Sequence, residues 1–87
     1  MSATITAPEL AEILFASTLQ QSDHPTPAAV RAAVSGILAR DHAVADCVAH
    51  LAQEAGDHPE AYAARMHWAL DAVRSAYPAQ EALAAAA

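Results

Sequence analysis

Two short segments, Asp23-His24-Pro25-Thr26-Pro27 and Asp57-His58-Pro59-Glu60, interrupt a chain that is otherwise rich in alanine and apolar residues. Proline inside a helix removes an amide donor and clashes with the preceding turn, so each segment must stand between helices. The residues around these breaks supply start signals. Thr6 can cap a first helix, with Pro8 in its first turn and Glu9 placed to complete a capping box; Ile5 and Leu10 can staple its entry. Leu10, Ile13 and Leu14, with Ser17, then share one face at helical spacing, and Gln20-Gln21-Ser22-Asp23 closes the segment.

Thr26-Pro27 reads as the cap and first residue of a second helix carrying Val30, Val34, Ile37 and Leu38. Gly36 lies inside it, either at a close helix approach or on the solvent side. After Asp41 a third helix aligns Val44, Cys47, Val48, Leu51 and Ala55, with Gly56 expected as a left-handed C-cap. Asp57, Pro59 and Glu60 repeat the first helix's entry pattern, and Asp57 is expected to cap a fourth helix. That helix carries Tyr62, Met66, Ala69, Val73 and Tyr77 along one stripe, with Trp68 off it, so both of its sides carry large side chains. This favours the fourth helix as the central element or as an interface.

The expected fold is therefore all-α, a small bundle of four or five short helices. Residues 1–78 form a single helical domain, and 79–87 form a short terminal helix or a flexible tail. No strand is expected, because β-branched alternation is absent.

At 87 residues and 55% apolar composition, much of it alanine, the chain can fill one small core and little more. It has no lysine, and its cations are Arg31, Arg40, Arg65 and Arg74. The formal charge of -6 opposes nonspecific contact with nucleic acid or anionic lipid. One cysteine gives no redox pair. No secretory leader and no apolar run long enough to span a bilayer is visible, so the expectation is a cytoplasmic protein without a membrane partner.

Residues able to do chemistry are few. His42, Asp46, His50 and Glu54 recur every four positions and make one polar line on the third helix. Such a line can hold a metal, but it is also what a solvated face looks like, and we expect no metal site. Cys47 and His50 form a Cys-x2-His pair with no second pair at zinc-finger spacing, so Cys47 is expected to be a small buried residue. Ser17, Ser35 and Ser75 sit in mid-helix without a strand–turn–helix elbow, and two glycines cannot build a phosphate loop. Neither catalysis nor a cofactor is expected.

His24 and His58 each stand between aspartate and proline, separated by the length of one helical-hairpin repeat. The stretch from Gly56 through Ala61 to Trp68-Ala69-Leu70 faintly resembles the tetratricopeptide pattern. It departs from that pattern after Ala61, and Pro78 arrives too late. Val48 to Val73 resembles a helix-turn-helix, with Ala52 and Gly56 at its turn spacing and Arg65 and Arg74 on the next helix. Asp57 stands where that motif places an apolar residue. The absence of lysine, with Gly56-Asp57-His58-Pro59-Glu60 and Arg65-Met66-x-Trp68-Ala69, is similar in style to small alanine-rich helical proteins of high-GC actinobacteria. That resemblance implies a source and brings no activity.

The expected function is protein–protein contact or a structural role, with self-association into a homo-dimer or binding of another protein. The apolar face of the fourth helix would be buried against the partner within an acidic rim. Trp68, Leu70 and Tyr77 are the expected contact residues, with Arg65 and Arg74 as polar anchors. The alternative is a helix-turn-helix DNA-binding or regulatory protein.

Overall fold

The computed structural model describes residues 5–78, and within them the chain is all-α, with no strand. The order is α1 (Ala7–Phe15), a short 3-10 turn (Gln21–Asp23), α2 (Pro27–Leu38), α3 (Ala43–Asp57) and α4 (Pro59–Ala76). The expected terminal helix or tail at 79–87 lies outside the described residues.

Two helix entries follow the start signals. The Thr6 hydroxyl oxygen accepts from the Glu9 amide at 3.3 Å. That hydroxyl also donates to the Glu9 carboxylate at 2.9 Å, so Glu9 closes on the cap's side chain rather than its amide. Thr26 accepts from the Ala29 amide at 3.1 Å, and proline occupies the first turn of both helices.

The other two entries differ from expectation. Asp57 does not cap α4: it is the last residue of α3, and His58 alone separates the two helices. His58 offers no side-chain cap. Pro59 removes one of the amides a cap would serve, and Glu60 lends its charge to the positive helix end. Nor is Gly56 a left-handed cap, for no glycine has positive φ among the described residues. The left-handed positions belong to His24 and His42, with φ of 48° and 59°. His24 and His58 are therefore not equivalent, since His58 has φ of -139°.

The core gathers Leu10, Ile13 and Leu14 of α1, Val30, Val34 and Ile37 of α2, Cys47 of α3 and Val73 of α4. While α4 packs against all three other helices, α1 has the largest buried share. Six of its residues are buried, including Ala7, Ala11 and Phe15, and its largest contact is with α4. On α4 only Ala69, Val73 and Ala76 are fully buried. Their small size lets the helix lie close to α1, while Tyr62, Met66 and Tyr77 cover the same stripe with partial exposure.

The expected apolar face of α3 is rotated. Ala43, Cys47 and Leu51 are buried, whereas Val44 and Val48 are 56% and 49% exposed. Five apolar positions make a stripe wider than one neighbouring surface can cover, and the helix seats the edge that meets the core.

Gly36 meets open space, since a Cβ built there would touch nothing within 4 Å. The close-approach role therefore falls away. Gly36→Ala should stabilise the fold by about 0.5–1 kcal/mol through helix propensity, read as a rise in urea midpoint at constant m-value.

Candidate functional site

The first four amides and last four carbonyls of any helix lack partners inside it, and one α1 end is satisfied from across the molecule. Arg65 reaches from α4 to the C-terminal end of α1. Its Nε and Nη2 donate to the Phe15 carbonyl at 3.0 and 2.8 Å, and Nη2 also donates to the Ser17 carbonyl at 2.9 Å. A cation here also opposes the negative end of the helix dipole. The guanidinium carbon lies 5.2 Å from the Phe15 ring centroid and 5.1 Å from that of Trp68. Phe15 is tilted against Tyr62 at 5.2 Å and meets the His50 ring edge-on at 6.2 Å. Partial burial lowers the Arg65 pKa from its ordinary value, yet the donors stay matched to carbonyl oxygens. Arg31 acts similarly, donating from Nη1 to the Ala76 carbonyl at 3.1 Å and tying α2 to the end of α4.

The residues singled out in the sequence are thus dispersed in role. Arg65 is turned inward as a clasp on α1. Trp68, Leu70 and Tyr77 are partly buried and packed against the molecule's own core. Burial raises the Tyr77 phenol pKa, and Arg31 partly offsets the rise. Arg74 is exposed and lies 3.9 Å from Asp71 in the same helix.

Trp68 borders two open hollows. One, of about 310 Å³, is lined by Pro25, Pro27, Val30, Asp71 and Ala72 among others; the second, of about 260 Å³, includes Arg65, Gln20 and Ala64. The clasp itself was missed at sequence level. Its only signal is one arginine three residues after Tyr62 and three before Trp68, a cation among ring-bearing positions.

On α3 the polar line His42, Asp46, His50 and Glu54 does not converge. Among the described residues, no three His, Cys, Asp or Glu side chains come together as a metal site would require. His50 is used partly against Phe15. Cys47 is buried, on the edge of the apolar stripe that meets the core. Desolvation raises its thiol pKa, an effect that Arg40 opposes and Asp46 and Glu12 reinforce.

Stability should therefore be retained while the Cys47 thiol is neutral, and fall as pH rises past its ordinary titration range, where the unfolded chain ionises first. Urea melts of the wild type and Cys47→Ala at pH 7 and pH 10 check this. The alkaline loss should shrink in the variant, leaving the part due to Tyr77 and the remaining groups.

The other side of α3 is the least expected surface. Val44, Ala45, Val48, Ala49, Ala52 and Gly56 are all exposed and follow helical spacing along one face. None carries charge. The acids Asp46 and Glu54 fall on the opposite flank by the same spacing. The turn proposed for a helix-turn-helix is absent from its expected place, because Ala52 and Gly56 lie within α3.

In comparisons with known protein families, curated proteins and solved structures, the chain matches none of them.

Proposed function

We infer that this chain is a protein-interaction module that works by self-association. The observation that carries this reading is the exposed, uncharged face of α3. It leaves two valines in water although the chain has buried most of its other large aliphatic side chains. Exposed apolar area of this kind is costly to hydrate, and burying it returns roughly 25 cal/mol per Å². Trp68 and its bordering hollows give a second surface of mixed polarity on α4, where aromatic side chains commonly anchor contacts.

A cytoplasmic setting fits a protein whose single cysteine is kept as a buried thiol. No helix among the described residues is long and apolar enough to cross a membrane. The DNA-binding alternative is weaker on physical grounds. Arg65 spends its donors on α1 carbonyls, and the formal charge of -6 repels a phosphate backbone.

Sedimentation velocity over a wide concentration range tests the reading. The expected result is a mass that rises from one chain to two with concentration and does not change on adding a chelator. A single-chain mass up to millimolar protein would overturn it.

A further inference from the structure

We propose that the partner on α3 is a second copy of the same helix, packed antiparallel about a two-fold axis. The inference rests on the self-association reading above and adds to it the face, the direction and the register.

The direction follows from side-chain size along the exposed face. Its larger members, Val44 and Val48, lie in the N-terminal half of α3; its smaller ones, Ala52 and Gly56, lie in the C-terminal half. In an antiparallel pair, Val44 of one copy meets Gly56 of the second, and Val48 meets Ala52. A two-fold axis repeats each contact, so every valine finds a small residue opposite. A parallel pair in register would set valine on valine and leave alanine facing alanine and glycine facing glycine across a gap. The backbone permits close approach, since a Cβ at Gly56 would touch nothing within 4 Å in its own chain. Ridges of valine between alanines suit interaxial distances of about 8–10 Å.

Charge at the helix ends selects the same direction. The last turn of α3 contains no basic residue and ends at Asp57, with Glu60 close behind, so the negative end of the dipole carries added negative charge. The opposite end begins after Arg40 and His42. It also bears Asp41 and Asp46, and Glu9 and Glu12 of α1 lie beside Val44, so the pairing there rests on Arg40 and the positive helix end. An antiparallel copy brings that positive helix end and its Arg40 towards Asp57 and Glu60. A parallel copy would stack two acidic ends. The α3 face between the ends is itself uncharged, while Glu9 and Glu12 of α1 share a small hollow with Val44 at its edge.

A single helix pair buries less area than a standard interface, so the dimer is expected to be weak and concentration-dependent.

Cysteine cross-linking distinguishes the arrangements. Val48→Cys and Ala52→Cys are made as separate proteins, both at exposed positions, with helicity checked by circular dichroism. Under copper–phenanthroline oxidation, an equimolar mixture should give a mixed Val48→Cys to Ala52→Cys disulfide in several-fold excess over either self-linked dimer. Wild type, whose Cys47 is buried, should stay uncrosslinked. Val48→Glu should weaken dimerisation at least about tenfold.

Self-linking of Val48→Cys as the main product would overturn the antiparallel register. Dimers that persist undiminished in Val48→Glu, without cross-links, would remove α3 while leaving self-association standing. A monomer at every concentration would remove both.

Discussion

Arg65→Ala should lower the unfolding free energy by about 2–3 kcal/mol, the range expected when a charged group's hydrogen bonds to half-buried partners are lost. Three donor contacts disappear at once, two to Phe15 and one to Ser17, and the Phe15 and Trp68 rings lose the cation between them. For a domain of this length, each 1 kcal/mol moves the melting temperature by about 4–8 °C, so thermal denaturation should drop by roughly 10–20 °C. Lysine should restore only part of the loss, because a single ammonium cannot donate in a planar fork. Arg74→Ala is the natural control. The Arg74 side chain is 52% exposed, so its charged contacts are screened by solvent and the change should stay within about 0.5 kcal/mol. Arg65→Ala and Arg74→Ala melting together would show that the clasp contributes no more than a surface charge.

Leu14→Ala should be more damaging still, at about 3–5 kcal/mol. Leu14 is wholly buried in α1, at 0% exposure, in the helix with the largest share of buried residues. The cavity would open where several helices meet, leaving little chance for local collapse. A small domain has total stability on the order of 5 kcal/mol, so the variant should be largely unfolded at 37 °C by circular dichroism. Val44→Ala removes similar chemistry from an exposed position and should change the monomer's stability by less than about 0.5 kcal/mol. A folded Leu14→Ala melting close to wild type would mean that the packing around α1 is looser than its burial indicates.

Much of the architecture was legible from local chemistry. Thr6 and Thr26 are caps followed by proline, a pattern whose geometry is determined within one turn of chain, and both hold. The stripes of α2 and α4 were readable because each presents one row of apolar residues at helical spacing. The reading lost accuracy where several local rules competed. Asp57-His58-Pro59 contains an acceptable cap, yet α3 continues through Gly56 and Asp57 because nothing there requires the helix to stop. The face of α3 was misjudged for a related reason. Its apolar positions span a broad arc, and only the surrounding helices decide which edge is covered.

Long-range polar contacts were the least accessible to sequence. The bonds from Arg65 to Phe15 and from Arg31 to Ala76 join positions far apart in the chain, and carbonyl acceptors have no residue signature. The residues read as a contact surface divide in the structure. Trp68, Leu70 and Tyr77 read in the sequence as more apolar area than one stripe needs, and the chain itself covers most of each. The valines of α3 were assigned to the core and emerged outside it.

The clasp between Arg65 and the carbonyls of Phe15 and Ser17 bears on how the chain is born. Among the described helices α1 has the largest buried share, and its closing contact is delivered by a residue translated some fifty positions later. A nascent chain cannot lock α1 until most of α4 has left the ribosome. Closure of the described bundle should therefore wait for synthesis of α4, with fragments ending before Arg65 remaining open to proteolysis.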